Sequence, residues 1–241
     1  MPSLDPISSI FGLLDRWRHL PAYQLERRAD IFFAVYLREV VASFTGAAIA
    51  QTIIPELPIK RDLIWPDRPT HKSVKLDYCL FAEDGSKVYF VELKTDAGSR
   101  RSAQDEYLER SVEIGFKAIV DGIRHIVLAT SAHQKYHHLV SALVARNFFE
   151  APSDLAEYLF PSPRPGVAAK LEQIRVANAN PPIEVIYVQP LAAGADRCID
   201  FEMFAEHVER HPDPFSQSFA EHLRRWTTPA GSERPSYSEG V

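Results

Sequence analysis

The sequence predicts an α/β fold built on a mixed central sheet. Three observations predict it: a helical apolar stripe over Leu25 to Phe44, two strand-like runs joined through Asp84-Gly85, and a return to helical spacing from Ser102 onward. The chain has 241 residues, of which 46% are hydrophobic and 24% charged. That balance excludes a wholly disordered chain, a collagen-like fibre and a coiled coil. Residues 1–227 are expected to form one domain, with a core at about 25–130 and a C-terminal extension over 151–227. Residues 1–8 and a Pro/Gly/Ser-rich tail over 228–241 are expected to be loose.

Within Leu25 to Phe44, the residues Phe32, Val35, Tyr36 and Glu39 recur at spacings of three and four, and Gly46 follows as a C-terminal cap. The stretch AIAQTIIPELPIK is β-rich but interrupted by Pro55, which suits an edge strand or a bulge. Lys72 to Ala82 and Lys87 to Lys94 flank Glu83-Asp84-Gly85-Ser86, a strong hairpin signal. Ser102 to Gly122 reads as a helix with Ser102 as N-cap, Leu108, Val112, Phe116 and Ile119 as its stripe and Gly122 as its end. Arg124 to Thr130 (RHIVLAT) reads as a short buried strand and Gln134 to Phe149 as a helix. Ala151 to Gly166 reads as an irregular connection, Glu184 to Gln189 as a strand, and Phe201 to Arg210 and Phe215 to Trp226 as helices.

A two-residue turn at Asp84-Gly85 pairs Glu83 with Ser86, and the register then sets Asp77 opposite Glu92. Side chains alternate along a strand, so Asp77, Glu92 and Lys94 project from one face, at the end of the apolar pairs Cys79 with Phe90 and Phe81 with Val88. Opposed carboxylates have Cβ atoms about 5 Å apart and repel unless something compensates. A hard divalent cation such as Mg²⁺ compensates and takes oxygen ligands. Lys94 points the same way, where its ammonium can position a water or a phosphate. The plainer alternative is a surface salt bridge of Lys94 to Glu92 with Asp77 solvated.

Asp77 in VKLDYCLF, followed by Glu92-Leu93-Lys94 in VYFVELKTD, resembles the signature of the PD-(D/E)xK nuclease superfamily. The superfamily core runs helix, three strands, helix, strand, the restriction-endonuclease-like αβββαβ order, and Leu25 to Thr130 reads in that order. The resemblance implies Mg²⁺- or Mn²⁺-dependent hydrolysis of phosphodiester bonds, usually in DNA, with Asp77 and Glu92 on the metal and Lys94 completing the catalytic set. Many members add a Glu from the first core helix. Glu39 fits best on the stripe, Glu26 beside Arg27 and Arg28 reads as a solvated charge, and Glu56 is weaker. The alternative for Glu39 is a bond to backbone or to Arg38. Some relatives carry a Gln and a Tyr on the helix after the Glu-x-Lys strand. Here Gln104 and Tyr107 are one residue closer than the Gln-x-x-x-Tyr spacing, which leaves a phosphate contact for Gln104. The dipeptide Pro66-Asp67 lies in a loop, so Asp67 is not the ligand.

Arg100 and Arg101, before a helix start, are expected to contact backbone phosphate, or else to form a solvated basic turn. His133, His137 and His138, and separately His207 and His211, have helical spacing without the HExxH order, so solvated rings are expected rather than zinc. The net charge of −5 excludes a chain-wide basic glove and favours a small or partner-guided nucleic-acid footprint, with a homodimer or protein partner open. Apolar runs are too short to span a bilayer, no secretory signal is read, and Cys79 and Cys198 suit the cytoplasm. A catalytically silent binding or regulatory module is the alternative, which the complete Asp, Glu and Lys set disfavours.

Overall fold

The computed structural model describes residues 5–20, 22–67, 72–96, 102–192 and 197–228. In chain order the elements are α1 (Pro6–Trp17), α2 (Leu25–Thr45), β1 (Ile49–Lys60), α3 (Arg61–Ile64), β2 (Ser73–Ala82), β3 (Val88–Leu93), α4 (Ser102–Ile114), α5 (Phe116–Ala129), α6 (His133–Ala145), β4 (Phe149–Glu150), α7 (Leu155–Leu159), α8 (Val167–Leu171), β5 (Arg175–Val176), β6 (Ile183–Gln189), β7 (Cys198–Asp200), α9 (Phe201–Val208) and α10 (Pro214–Trp226). The protein is mixed α/β, with a five-stranded sheet in the order β1-β2-β3-β6-β7 and a small β4-β5 ribbon. The residues group into two compact units, 1–46 with 92–101 and 186–241, and 47–91 with 102–185.

In the unit of residues 47–91 and 102–185, β1, β2 and β3 form an antiparallel meander. β1 is the edge strand that Pro55 requires, with an irregular register after Ile49 and a positive φ of 53° at Glu56. The β2–β3 register is the expected one: Tyr78 faces Val91, Cys79 faces Phe90, Leu80 faces Tyr89 and Phe81 faces Val88. Both faces of this hairpin are buried. The turn is longer than expected. The Ala82 N–H donates to the Lys87 carbonyl at 2.9 Å, and Glu83 does not pair with Ser86 because its N–H donates to the Ala48 carbonyl at 2.8 Å. Gly85 takes the positive φ, 72°, and the Ser86 N–H donates to Asp84 Oδ1.

The helical region is where expectation and fold part. The stretch 102–122 is two helices, because Gly115 breaks it with φ 84° and ψ 153°, a backbone region essentially closed to other residues. RHIVLAT is not a strand. It continues α5, whose buried residues Phe116, Ile119, Val120, Ile123 and Val127 keep the helical period throughout. Gly122 does not end the helix. A Cβ there would meet Leu63 Cδ1 at 2.6 Å, so the glycine serves close packing. Phe81, Phe90, Phe116 and Phe148 form the aromatic core. The helix expected to reach Phe149 ends at Ala145, and Phe149 joins β4. The connection 151–166 contains α7.

In the unit of residues 1–46, 92–101 and 186–241, the N-terminal stretch is ordered earlier than expected. Asp5 caps α1 through the N–H groups of Ile7 and Ser8. α2 ends at Gly46 as expected, with φ 70°. Its buried face differs from the expected one, running through Phe33, Tyr36, Leu37, Val40 and Val41, while Val35 and Glu39 are exposed. Phe33 packs on Phe201, Phe204 and Phe219 with ring centroids 5.1–5.4 Å apart, joining α2 to α9 and α10. Asp200 and Asp213 cap those two helices.

The strand beside β3 is β6. In one unit the Val88 N–H donates to the Pro182 carbonyl, and in the other the Lys94 N–H donates to the Val188 carbonyl at 2.8 Å. β6 and β7 are also parallel, with Tyr187 facing Cys198. Among the described residues no helix is long and apolar enough to cross a membrane.

Candidate functional site

Glu92 is the penultimate residue of β3, and Lys94 follows the strand's last residue. They are 1% and 3% exposed, although both side chains carry charge. Such burial is tolerated only where the charges are paired and hydrogen-bonded. Here Lys94 Nζ donates to Glu92 Oε1 at 2.8 Å and to the Leu93 carbonyl at 2.7 Å. A second carboxylate reaches the same ammonium, with Glu26 Oε2 3.7 Å from Lys94 Nζ. Glu26 lies in the first turn of α2, where a helix dipole favours negative charge. Burial pushes its carboxyl above the ordinary carboxylate range. The Lys94 charge opposes that rise and the Glu92 charge adds to it. Two carboxylates therefore share one ammonium, Glu92 buried with it and Glu26 half-buried at its edge.

Glu26, read from the sequence as a solvated charge, stands at this cluster, and Glu39 stands elsewhere. Glu39 lies several turns further along α2, roughly 20 Å from Glu26 at 1.5 Å per residue. Its carboxylate is near His207 and His211. No local pattern marks Glu26, because its partner Lys94 is remote in sequence. The one available signal was its place in the first turn of the helix.

Asp77 is half-buried on β2, next to Tyr78, where the described β2–β3 pairing ends. Glu56 is exposed and pairs with Lys75 at 2.6 Å. On α4, Tyr107 is buried and Gln104 half-buried, one turn apart. Asp67 is exposed in a turn. Arg100 and Arg101 lie outside the described residues.

The donors of this cluster are carboxylate oxygens, the set that Mg²⁺ or Mn²⁺ takes, with a lysine of the kind that acts on water or phosphate. Comparisons of the chain with models of protein families, with curated proteins and with solved structures gave no match.

Proposed function

We propose that the chain is a metal-dependent nuclease of the PD-(D/E)xK type, hydrolysing phosphodiester bonds in DNA. The expected alternative, a Lys94–Glu92 salt bridge, is present, and the observation that carries this reading is that the pair is buried at the end of β3 rather than at the surface, with Glu26 as a second carboxylate beside it. The hairpin register supports it. Tyr78 faces Val91 and Phe81 faces Val88, the register from which the sequence reading expects Asp77 and Glu92 to be neighbours. The start of the element order supports it as well, since α2, β1, β2, β3 and α4 come in the helix, three strands, helix order with only the short α3 between β1 and β2, whereas the next strand of the sheet, β6, follows only after α5, α6, β4, α7, α8 and β5.

Glu92 is the carboxylate to hold Mg²⁺ or Mn²⁺, Glu26 takes the role expected of Glu39, and Asp77 is the further ligand that the resemblance implies. When bound, such an ion polarises the phosphoryl oxygen and supplies an activated water. Lys94 keeps its ammonium fixed by Glu92 and the Leu93 carbonyl, and presents Nζ to the water or to a phosphate oxygen. Gln104, Arg100 and Arg101 serve the flanking phosphates. With a net charge of −5, binding is confined to such local contacts.

The test incubates the purified chain with linear and circular, single- and double-stranded DNA and RNA, in Mg²⁺, Mn²⁺ or EDTA. Cleavage of DNA is expected only with metal. Lys94→Ala and Glu92→Ala should each lower it by roughly 10²–10⁴-fold. Glu26→Gln should also lower it and Glu39→Gln should leave it unchanged. Metal binding without cleavage by the wild type would favour a module that keeps the fold without turnover.

A further inference from the structure

We propose that Glu39, His207 and His211 form a second metal site, for a borderline ion of the Zn²⁺ class, that ties α2 to the end of α9. All three belong to one unit of the chain, so the site is built within it. Their candidate ligand atoms lie within 4.8 Å of one another. A single oxygen, Glu39 Oε2, stands 3.5 Å from His207 Nε2 and 3.4 Å from His211 Nε2. Both separations exceed the 2.7–3.2 Å of an N–H···O hydrogen bond. They match the edge of a ligand tetrahedron instead: with metal–nitrogen and metal–oxygen bonds near 2.1 Å, adjacent ligand atoms lie about 3.4 Å apart.

The framework holds these atoms from several directions. Phe33 packs on Phe201 and Phe204, fixing α2 against α9. The Tyr36 ring lies 5.4 Å from the His211 ring, and the Tyr36 hydroxyl is tied to Ser216 Oγ at 2.7 Å. Arg38 approaches Glu39 through the other carboxylate oxygen, Oε1, at 4.0 Å, which leaves Oε2 to the histidines. His207 is nearly buried, whereas the side chains of Glu39 and His211 are 47% and 38% exposed, giving an ion entry from solvent.

Two imidazoles and one carboxylate select the ion. Mg²⁺ prefers oxygen ligands and its own waters, while nitrogen–oxygen sets of this composition suit Zn²⁺ and its neighbours. Three protein ligands leave a position for water. The site is separate from the carboxylate cluster at Lys94 and stands whether or not that cluster cleaves DNA.

The test is Zn²⁺ binding to the full, metal-stripped chain by equilibrium dialysis, with thermal unfolding as a second readout. One equivalent of Zn²⁺ should bind in the presence of excess Mg²⁺ and raise the unfolding temperature. His211→Ala and Glu39→Gln, at a half-buried and an exposed position, should each weaken binding by more than about 100-fold, beyond what loss of an outer-shell partner costs, and abolish the thermal shift. Glu92→Gln, and His137→Ala with His138→Ala, should keep full stoichiometry. Wild type without a bound equivalent, or His211→Ala and Glu39→Gln with unchanged affinity, would overturn the proposal. So would loss of binding in the His137→Ala, His138→Ala variant.

Discussion

Lys94 supplies one positive charge to two carboxylates, and burial decides how readily the outer one ionises. Glu26 holds its proton to a higher pH in the folded protein than in the unfolded chain, because burial outweighs the pull of Lys94. Between its ordinary value and the raised one the folded state binds the extra proton, so stability falls as pH rises through that interval. Glu26→Gln removes this titration. In the metal-free protein the variant should resist urea better than wild type at neutral pH. The two midpoints should converge as pH falls below the ordinary carboxylate range. Urea midpoints across a pH series read this directly, and a gap that widens toward acid would contradict it. The same residue shows what a sequence can carry. Glu92 and Lys94 were legible because a hairpin register is local arithmetic. Glu26 was not, since its meaning comes from a strand end far along the chain, and the neighbouring Arg27 and Arg28 suggest a solvated face.

Helix ends depend on glycine for two different reasons here. Gly46 closes α2 with φ 70° and ψ 9°, and a Cβ built there meets nothing within 4 Å. Gly115 divides α4 from α5, and a Cβ there would lie 3.1 Å from Asn180 Oδ1, the atom that accepts from the Lys117 N–H at the start of α5. Gly46→Ala should therefore cost about 1–2 kcal/mol, the left-handed penalty alone. Gly115→Ala should cost about 1–3 kcal/mol of backbone strain and about 1 kcal/mol more for the displaced cap. Urea unfolding of the two variants should rank them in that order. The cap at Gly46 and the Asp84-Gly85 turn were readable because their chemistry lies within a few residues. The break at Gly115 was hidden. The spacing of Leu108, Val112, Phe116 and Ile119 runs across it undisturbed, and the side chain that suits the break, Asn180, is distant in sequence. RHIVLAT misled for a related reason, since a short apolar run has no period of its own until its place on a longer helix is known.

The final third of the chain is structural rather than appended. The unit that contains Glu26, Glu92 and Lys94 is assembled from residues 1–46, 92–101 and 186–241. Residues 25–130, which carry every motif of the nuclease resemblance, lack most of what that unit buries. They lack β6, whose Val188 carbonyl accepts from the Lys94 N–H. They lack Phe201, Phe204 and Phe219, against which Phe33 is fully buried. They also lack Ser216, the partner of Tyr36. Leaving a large apolar side chain exposed costs about 1.5–3 kcal/mol, and a domain's net stability is only about 5–15 kcal/mol. Several such losses together exceed the margin. A fragment of residues 22–132 should therefore show no cooperative urea transition by circular dichroism, while residues 1–228, which hold the Glu92–Lys94 ion pair, unfold cooperatively. A fragment that unfolded with a sharp midpoint would mean that α2 and β3 are held without β6, α9 and α10.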